Sequence, residues 1–268
     1  MAKGKLQHSV DTGWGSMMGT LMTILSLVSL LCICIIGFVA QYKEPSMCHH
    51  LKADHVEEEY FQPDRCWSRQ QIQQVLRATT KTFLQLLETN GIEYWVDSGT
   101  LLGCIRSKGL IYKDYDADIG MPSHALNKLR SKKMEIPSEY VLAVRGSKIY
   151  EEKRRDDALP ARFIHIDSGL YVDVFEFLYT KNATNSTVEE LPRIDIGKKV
   201  EGFLGPIKSL CWMGCYGCLE SNHFFVPVDW IYPLRQCQYE DINVSCPAQP
   251  DPYLQRLYGP RYMTPVSY

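Results

Sequence analysis

Hydrophobic positions recur along the chain with two different periods, and an uncharged stretch precedes both. Residues 17–40 contain no charged side chain, and a helix of that length rises about 36 Å, enough to cross a hydrocarbon core of about 30 Å. Beyond residue 68, apolar residues first follow helical spacing and then alternate with polar residues as in strands. The pattern predicts a membrane-spanning helix followed by a domain of helices and strands.

The clearest element of this domain is a helix over residues 69–90. Ser68 and Gln71 have the spacing of a capping box, in which each side chain bonds the other residue's backbone N–H. Apolar residues follow three and four positions apart, and Gly91 stands where a glycine commonly ends a helix.

The remaining segments predict a mixed sheet with flanking helices. The predicted strands cover residues 92–96, 116–121, 140–144, 161–167 and 170–179, and the shorter helices cover 100–106, 123–133 and part of 251–265. Ser168 and Gly169 suit a hairpin turn between the last two strands. In the final helix, Tyr253, Leu254, Leu257 and Tyr258 share about one face. Because helices and strands do not alternate regularly, we expect an α+β fold rather than a doubly wound one.

This pattern divides the chain into four parts: a tail over residues 1–16, a signal anchor over 17–40, a short stem over 41–67 and a domain over 68–268. A cleavable signal peptide is the alternative, but Phe38 and Ala40 match its small-residue cleavage pattern poorly. Lys3 and Lys5 favour a cytoplasmic N-terminus. We therefore expect a single-pass type II protein whose domain lies in the lumen of the Golgi or endoplasmic reticulum.

Three acceptor patterns for glycosylation agree with a lumenal domain. They begin at Asn182, Asn185 and Asn243, and the first two share a polar loop. An unmodified polar loop is the alternative. The net charge of −2 gives no support for nucleic-acid binding, which favours a basic surface.

The ten cysteines suggest disulfides, metal binding or free thiols. Cys32 and Cys34 fall within the predicted span, and the other eight are Cys48, Cys66, Cys104, Cys211, Cys215, Cys218, Cys237 and Cys246. An even number in an oxidising compartment favours disulfides, and Cys237 with Cys246, which flank a short polar turn, is the best single pair. Cys211, Cys215 and Cys218 could instead contribute to a structural Zn²⁺ site.

The candidate chemistry lies in a glycine turn followed by closely spaced aspartates. Asp116 and Asp118 are two positions apart on a predicted strand, so their side chains point to the same face. Adjacent carboxylates repel each other unless a cation lies between them, and Mg²⁺ or Mn²⁺ prefers such oxygen ligands. The turn at Gly99 offers backbone N–H groups to a phosphate. The pattern indicates metal-assisted transfer from a nucleotide; a solvated acidic face is the structural alternative.

These segments resemble the LicD/fukutin family over about residues 90–262 in four ordered blocks, of which the first two, the glycine turn and the aspartate strand, are contiguous. The resemblance is carried by "GTLLGCIRSKGLIYKDYDADIG", by "LYVDVFEF" and by "FFVPVDWIYPLRQCQYEDINVSCPAQPDPYLQRLYGPRY". The chain departs from the family pattern at Ala117, which replaces Asp or Val, and at Gly120, where many bacterial members have another Asp. Neither departure removes a carboxylate of the expected site.

The resemblance implies a nucleotidyltransferase-like fold and transfer of a phospho-alcohol from a CDP-activated donor to a glycan hydroxyl. Carried over by position, it implies a phosphate-binding turn at Gly99 and Thr100, a catalytic Mg²⁺ or Mn²⁺ site at Asp116, Asp118 and Asp173, and further substrate contacts at Arg106 and Asp114. The general base is left open between Asp173, Asp114 and His165. A non-catalytic lumenal binding protein and a sugar-nucleotide glycosyltransferase are the competing interpretations.

Overall fold

The structure, a computed structural model, describes residues 22, 24–29, 31, 51, 56–57, 59–60, 62, 64–150, 159–182, 189–195, 197–206 and 224–265. The chain forms two compact units, residues 1–47 and residues 48–268. Among the described residues, no helix combines the length and the apolar character needed to cross a membrane. Most of the predicted span 17–40 lies outside those residues, as do Asn185 and the cysteines of the predicted Zn²⁺ site, so these remain predictions.

Helix α1, Arg69–Thr89, confirms the strongest prediction and begins and ends as its sequence indicates. The Ser68 side chain accepts a hydrogen bond from the N–H of Gln71, and the Gln71 side chain accepts one from the N–H of Ser68. At the other end Gly91 has a φ of +60°. The N–H groups of Gly91 and Ile92 donate to the carbonyls of Glu88 and Leu87, which is the pattern of a Schellman motif.

Among the described residues of the 48–268 unit, the other elements form a curled mixed sheet, a separate hairpin and four shorter helices. In chain order they are β1 Trp95–Val96, α2 Ser98–Arg106, β2 Ala117–Pro122, α3 Ser123–Ser131, β3 Tyr140–Val144, β4 Ala161–His165, β5 Tyr171–Thr180, β6 Phe203–Pro206, β7 Val226–Pro227, α4 Val228–Ile231, β8 Arg235–Tyr239, β9 Ile242–Cys246 and α5 Pro250–Tyr258. The expected mixture of helices and strands is confirmed, whereas β6 to β9 and α4 were not predicted.

Strand β5 is the centre of the sheet. The order is β1-β2-β5-β4-β3; β6 also pairs with β5, and β7 pairs with β6. Strands β2 and β5 are parallel, while the other pairs are antiparallel. Gly169, with a φ of +72°, lies in the turn that joins β4 to β5, as the predicted hairpin requires.

Strand β1 is shorter than the five-residue strand predicted over residues 92–96. It pairs with β2 only at Trp95 and Val96, opposite Gly120 and Ile119. Continued pairing in this register would bring Glu93 opposite Pro122, which has no N–H to donate. The end of β2 therefore limits the length of β1.

The two faces of the sheet have different roles. Helix α1 covers one face, where Phe83 stacks on Phe163 at 4.7 Å between ring centroids. Asp118 and Asp173 pair in register on the opposite face, and Arg162 pairs with Asp173 from the other side. Because side chains alternate along a strand, the buried valines that flank Asp173 belong to the α1 face.

Residues of the predicted stem pack against the domain. Leu51, Val56 and Trp67 are buried in one cluster with Ile72 and Leu170. The N–H of Glu57 also donates to the carbonyl of Gly169 at 2.8 Å. This segment therefore belongs to the compact unit that contains the sheet.

Candidate active site

Three carboxylates meet at the edge of the sheet face opposite α1. Each of Asp116, Asp118 and Asp173 offers an oxygen within 4.8 Å of the oxygens from the other two. Asp118 and Asp173 are brought together by the parallel pairing of β2 with β5, and Asp116 immediately precedes β2. The structure thus assembles the three residues that the sequence indicated.

The chemistry and spacing of this cluster suit a hard divalent cation. Carboxylate oxygens are the preferred ligands of Mg²⁺ and Mn²⁺, and two oxygens on one Mg²⁺ are at most about 4.2 Å apart. The three carboxylate oxygens lie within 4.8 Å of one another, so rotation of the side chains could bring them onto one ion. Asp116, Asp118 and Asp173 are the residues that would hold the ion.

Burial and repulsion by neighbouring carboxylates disfavour ionisation of Asp118 and Asp114. Burial raises the pKa of Asp118 well above its ordinary value, and the nearby carboxylates, first Asp116 and then Asp173, raise it further. Burial also raises the pKa of Asp114 to about 7; Asp116 adds to the shift and Arg106 opposes it. A bound cation would relieve this repulsion.

Asp97, which sequence reasoning missed, fixes the start of α2 beside the cluster. It is fully buried, and its Oδ1 accepts hydrogen bonds from the N–H of Ser98 at 2.6 Å and the hydroxyl of Tyr253 at 2.7 Å. Its Oδ2 accepts one from Trp95 Nε1 at 3.3 Å. Burial raises the pKa of Asp97 to about 6 despite these hydrogen bonds. Its position just before a helix could have indicated an N-cap residue.

The predicted phosphate turn also positions the carboxylates. Thr100 is buried, and its Oγ1 accepts a hydrogen bond from the N–H of Asp118 at 2.8 Å. A Cβ on Gly99 would lie 3.2 Å from Asp114 Oδ2. Thr100 thus connects α2 to β2, and Gly99 allows the carboxylate of Asp114 to approach the helix.

A cleft of about 1100 Å³ opens beside the cluster. Gly99 and Asp114 line it, together with the cationic side chains of Arg106, Lys113 and Arg261. Arg106, at the end of α2, also donates to the carbonyl of Tyr262 at 3.5 Å. A cationic cleft of this size next to a carboxylate cluster suits a ligand as large and as anionic as a nucleotide.

Tyr258 is not buried with the three residues that were predicted to share its face of the final helix. Tyr253, Leu254 and Leu257 are buried on α5, whereas Tyr258 is 44% exposed and lines the cleft. Partial desolvation of its phenol by the walls of the cleft, with a further contribution from Asp118 and other nearby carboxylates, raises its pKa. The helical spacing placed Tyr258 close to the apolar face, but the folded helix turns the phenol towards the site.

His165 lies on the wrong face to act as the general base. It pairs with Tyr140, and its parity along β4 is opposite to that of Arg162, which faces Asp173. Its Nδ1 lies 2.9 Å from the hydroxyl oxygen of Ser168. Desolvation lowers its pKa. The histidine therefore belongs to the turn between β4 and β5.

Arg162 is a second residue that sequence reasoning missed. Its Nε and Nη2 donate to the two carboxylate oxygens of Asp173, the second at 3.2 Å, and its Nη1 donates to Glu57 Oε2 at 3.2 Å. The guanidinium carbon also lies 3.7 Å from the ring centroid of Tyr171. An arginine within an otherwise apolar strand was the sequence signal for Arg162. Its partner, Asp173, could not be predicted because it depends on the order of the strands in the sheet.

The cysteine and glycosylation predictions are tested in part. Cys237 and Cys246 form the predicted disulfide across the β8–β9 hairpin, and Cys66 is also disulfide-bonded. Cys104 is a buried free thiol. Asn182 and Asn243 are exposed, as modification would require, but their glycosylation stays a prediction.

The fold and the site together define an α+β domain with a curled mixed sheet and a carboxylate triad at the edge of that sheet. Residues 91–216 match the family described as LicD/FKTN/FKRP, nucleotidyltransferase domain. These residues include "GTLLGCIRSKGLIYKDYDADIG" and "LYVDVFEF", two of the segments that carry the resemblance to that family.

Similar proteins include a transferase and a regulator of a transferase. Human ribitol 5-phosphate transferase FKRP is 36% identical over 148 residues, which is 55% of this chain and 29% of that protein. Mannosyltransferase regulator 4 of Saccharomyces cerevisiae is 29% identical over 169 residues, or 58% of this chain and 14% of that protein. A Rickettsia prowazekii protein of unknown function is 54% identical over 37 residues, 14% of each chain. Each match thus covers less than a third of the relative's length.

Proposed function

We propose that this protein transfers a phospho-alcohol, such as ribitol phosphate or phosphocholine, from a CDP-activated donor to a glycan hydroxyl and releases CMP. The observation that carries the proposal is the convergence of Asp116, Asp118 and Asp173 beside a cationic cleft in a LicD-type domain. The similarity to human ribitol 5-phosphate transferase FKRP supports this reaction class.

The donor is proposed to lie in the cleft with its pyrophosphate towards the carboxylates. Arg106, Lys113 and Arg261 supply positive charge along the cleft. Gly99 lines the cleft at the start of α2 and leaves the backbone open to close approach. This arrangement would place the transferred phosphorus between the carboxylate cluster and the incoming hydroxyl.

The protein's contribution to the reaction is mainly positional and electrostatic. A bound Mg²⁺ or Mn²⁺ supplies charge neutralisation as CMP leaves. Asp116, Asp118 and Asp173 hold the ion, while Thr100 positions Asp118 through its backbone N–H. Asp114 lines the cleft and is the proposed general base, because His165 lies on the opposite face of the sheet and Asp173 is proposed to hold the ion.

A second candidate function is a non-catalytic regulator of a glycosyltransferase. The similarity to mannosyltransferase regulator 4 favours it. The three carboxylates favour catalysis, because a binding role alone does not require such mutually repelling groups. For either function we propose a single-pass protein with its domain in the lumen of the Golgi or endoplasmic reticulum, where glycan acceptors occur.

CMP release from a panel of CDP-alcohols, in Mg²⁺ or Mn²⁺ and in chelator, tests the proposal. Asp118→Asn should abolish nearly all release, because loss of a metal ligand removes several kcal/mol of transition-state stabilisation. Its midpoint of thermal unfolding in chelator should equal or exceed that of the wild type, because a like-charge repulsion is relieved.

Asp195→Asn provides the matched control, because Asp195 pairs with Arg193 and Lys198 on a surface loop. It should retain wild-type release. Equal release by folded Asp118→Asn and wild type would refute the proposed metal site. Release of UMP or UDP from sugar nucleotides, with none of CMP, would favour a glycosyltransferase, and no release from any donor would favour the regulator.

A further inference from the structure

Arg162 contacts Asp173 of the candidate site and two further residues, Glu57 and Tyr171. Two nitrogens of its guanidinium donate hydrogen bonds to the two carboxylate oxygens of Asp173, and the third donates one to Glu57. Its planar group lies over the ring of Tyr171. The side chains of Arg162 and Asp173 are 16% and 6% exposed, so water screens this contact little.

We propose that Arg162 is a positioning residue that fixes the orientation of Asp173 for the divalent cation. This inference rests on the proposed metal-dependent transfer and adds a residue that the three-carboxylate description leaves out. Its action on the reaction would pass through Asp173 rather than through the donor.

The two-pronged contact provides the orientation. A carboxylate with one hydrogen bond can still rotate about its Cβ–Cγ bond, whereas parallel bonds from Nε and Nη2 fix both oxygens in the guanidinium plane. Each carboxylate oxygen has a second lone pair, so Asp173 can accept these bonds and still offer an oxygen towards Asp118. Residues that orient a metal ligand in this way commonly change metal affinity or activity by about 10- to 100-fold when they are replaced.

The surroundings of Arg162 hold the guanidinium in place. Glu57 accepts a hydrogen bond from Nη1, the nitrogen that does not contact Asp173. The Tyr171 ring restricts motion of the guanidinium out of its own plane. Glu57 is in turn fixed by its backbone hydrogen bond to Gly169. A cation that binds near Asp173 therefore meets a carboxylate whose geometry is already set.

The charge of Arg162 has a separate effect from its geometry. The guanidinium compensates the buried charge of Asp173 when no cation is bound, so loss of the charge should destabilise the metal-free protein. A lysine would retain the charge but could not bond both oxygens in parallel. Arg162→Lys and Arg162→Met thus separate orientation from charge.

The test compares these two variants with the wild type in purified full-length protein. We expect Arg162→Lys to unfold in chelator within a few degrees of the wild type but to bind Mn²⁺, measured by electron paramagnetic resonance, about 10-fold more weakly. Its kcat for CMP release should fall about 10- to 100-fold, with little change in the KM for the donor. Arg162→Met should show the same loss of binding and a lower unfolding midpoint in chelator.

Arg145→Lys is the matched control. Arg145 pairs with Glu176 at 3.8 Å, and Glu176 lies on β5 with the parity of the α1 face. This variant should bind Mn²⁺ as the wild type does. If Arg162→Lys does not fold, Glu57→Gln loosens the guanidinium while leaving Arg162 and Asp173 in place, and should cause a smaller loss of Mn²⁺ affinity in the same direction.

The outcomes distinguish this inference from the proposed function. Wild-type protein that binds no Mn²⁺ would overturn the metal site itself and the inference with it. Wild-type Mn²⁺ affinity and kcat in folded Arg162→Lys, or in Glu57→Gln where the lysine variant does not fold, would overturn the positioning role alone. In that case Arg162 would serve only as the buried partner of Asp173.

Discussion

Gly120 lies on the strand that carries Asp118, and the indole of Trp95 occupies the space above it. A Cβ at Gly120 would lie 2.4 Å from two atoms of that ring. Trp95 is fully buried, contacts Phe177 and donates to Asp97, so it cannot move aside easily. This packing explains why the chain has glycine at position 120.

We therefore expect Gly120→Ala to lower the free energy of unfolding by about 1–3 kcal/mol through overpacking. Urea denaturation measures the change. Gly146→Ala is a useful comparison, because Gly146 has a φ of +87° but its Cβ would meet open space, so only backbone strain should contribute, at about 1 kcal/mol. A stability of Gly120→Ala equal to that of the wild type would show that Trp95 adapts.

Asp97 predicts a pH dependence. Its pKa is about 6 in the folded protein and 3.8 without the fold. Between these values the folded protein binds a proton that the unfolded chain has lost, so this group's contribution to stability falls as pH rises, by roughly 3 kcal/mol in total. Above pH 6 the contribution should stay constant.

Asp97→Asn removes this titration but also places an amide N–H₂ near the donor Trp95. Relative to the wild type, the variant should become more stable as pH rises from about 4 to 6, although its absolute stability includes the lost hydrogen bond. Urea denaturation in chelator at several pH values gives this difference. A difference that does not vary with pH would contradict the raised pKa of Asp97.

At the scale of elements, the β8–β9 hairpin supports the loop that leads to the carboxylates. Glu240, at its turn, accepts hydrogen bonds from Arg77 Nε at 2.8 Å and from the N–H of Leu110 at 3.0 Å, and its own N–H donates to the carbonyl of Lys108. Cys237 and Cys246 link the two strands of the hairpin. The hairpin thereby joins α1 to the segment between α2 and β2.

Glu240→Ala should lower the free energy of unfolding by about 1–3 kcal/mol, because both charge-assisted hydrogen bonds are lost. It should also reduce CMP release, since Asp114 and Asp116 follow the segment that becomes less restrained. Thermal unfolding and the release assay measure the two effects. The neighbouring Asp241→Ala removes only an exposed ion pair with Lys81 and should change little; similar losses in both variants would argue against a specific role for Glu240.

Local sequence patterns predicted the helices and strands better than they predicted which strands pair with each other. The capping box and apolar spacing specified α1, and alternation correctly placed Asp116 and Asp118 on one face. They did not indicate that β5 pairs in parallel with β2 and antiparallel with β4, because partner choice depends on contacts between distant segments. The contact between Arg162 and Asp173 was not predicted for this reason.

The positions of Tyr258 and of the segment before residue 68 also could not be predicted from local sequence, because they depend on the folded domain. Tyr258 is one residue from Leu257 on a short helix, so a small rotation decides whether it joins the core or the cleft. The segment over residues 51–67 has a mixed, proline-interrupted composition that is typical of a stem. Its few apolar residues nevertheless fill a gap beside Leu170, which only the folded sheet creates.

At the scale of the molecule, this packing predicts where a stable soluble fragment must begin. A fragment over residues 61–268 lacks Leu51, Val56 and Glu57, which exposes Leu170 and removes one partner of Arg162. Its free energy of unfolding should be lower than that of a fragment over 48–268 by several kcal/mol. Urea denaturation of the two fragments checks this, and equal stability would show that the preceding segment contributes nothing.

The register that pairs Asp118 with Asp173 also has a consequence for how the protein folds. The two strands are far apart in the chain, and their parallel pairing requires closure of a long loop, which is a slow step in folding. The same step brings two carboxylates together, so their repulsion opposes the pairing. A divalent cation would act at this stage as a folding aid as well as a cofactor, and refolding from urea should be faster in Mn²⁺ than in chelator.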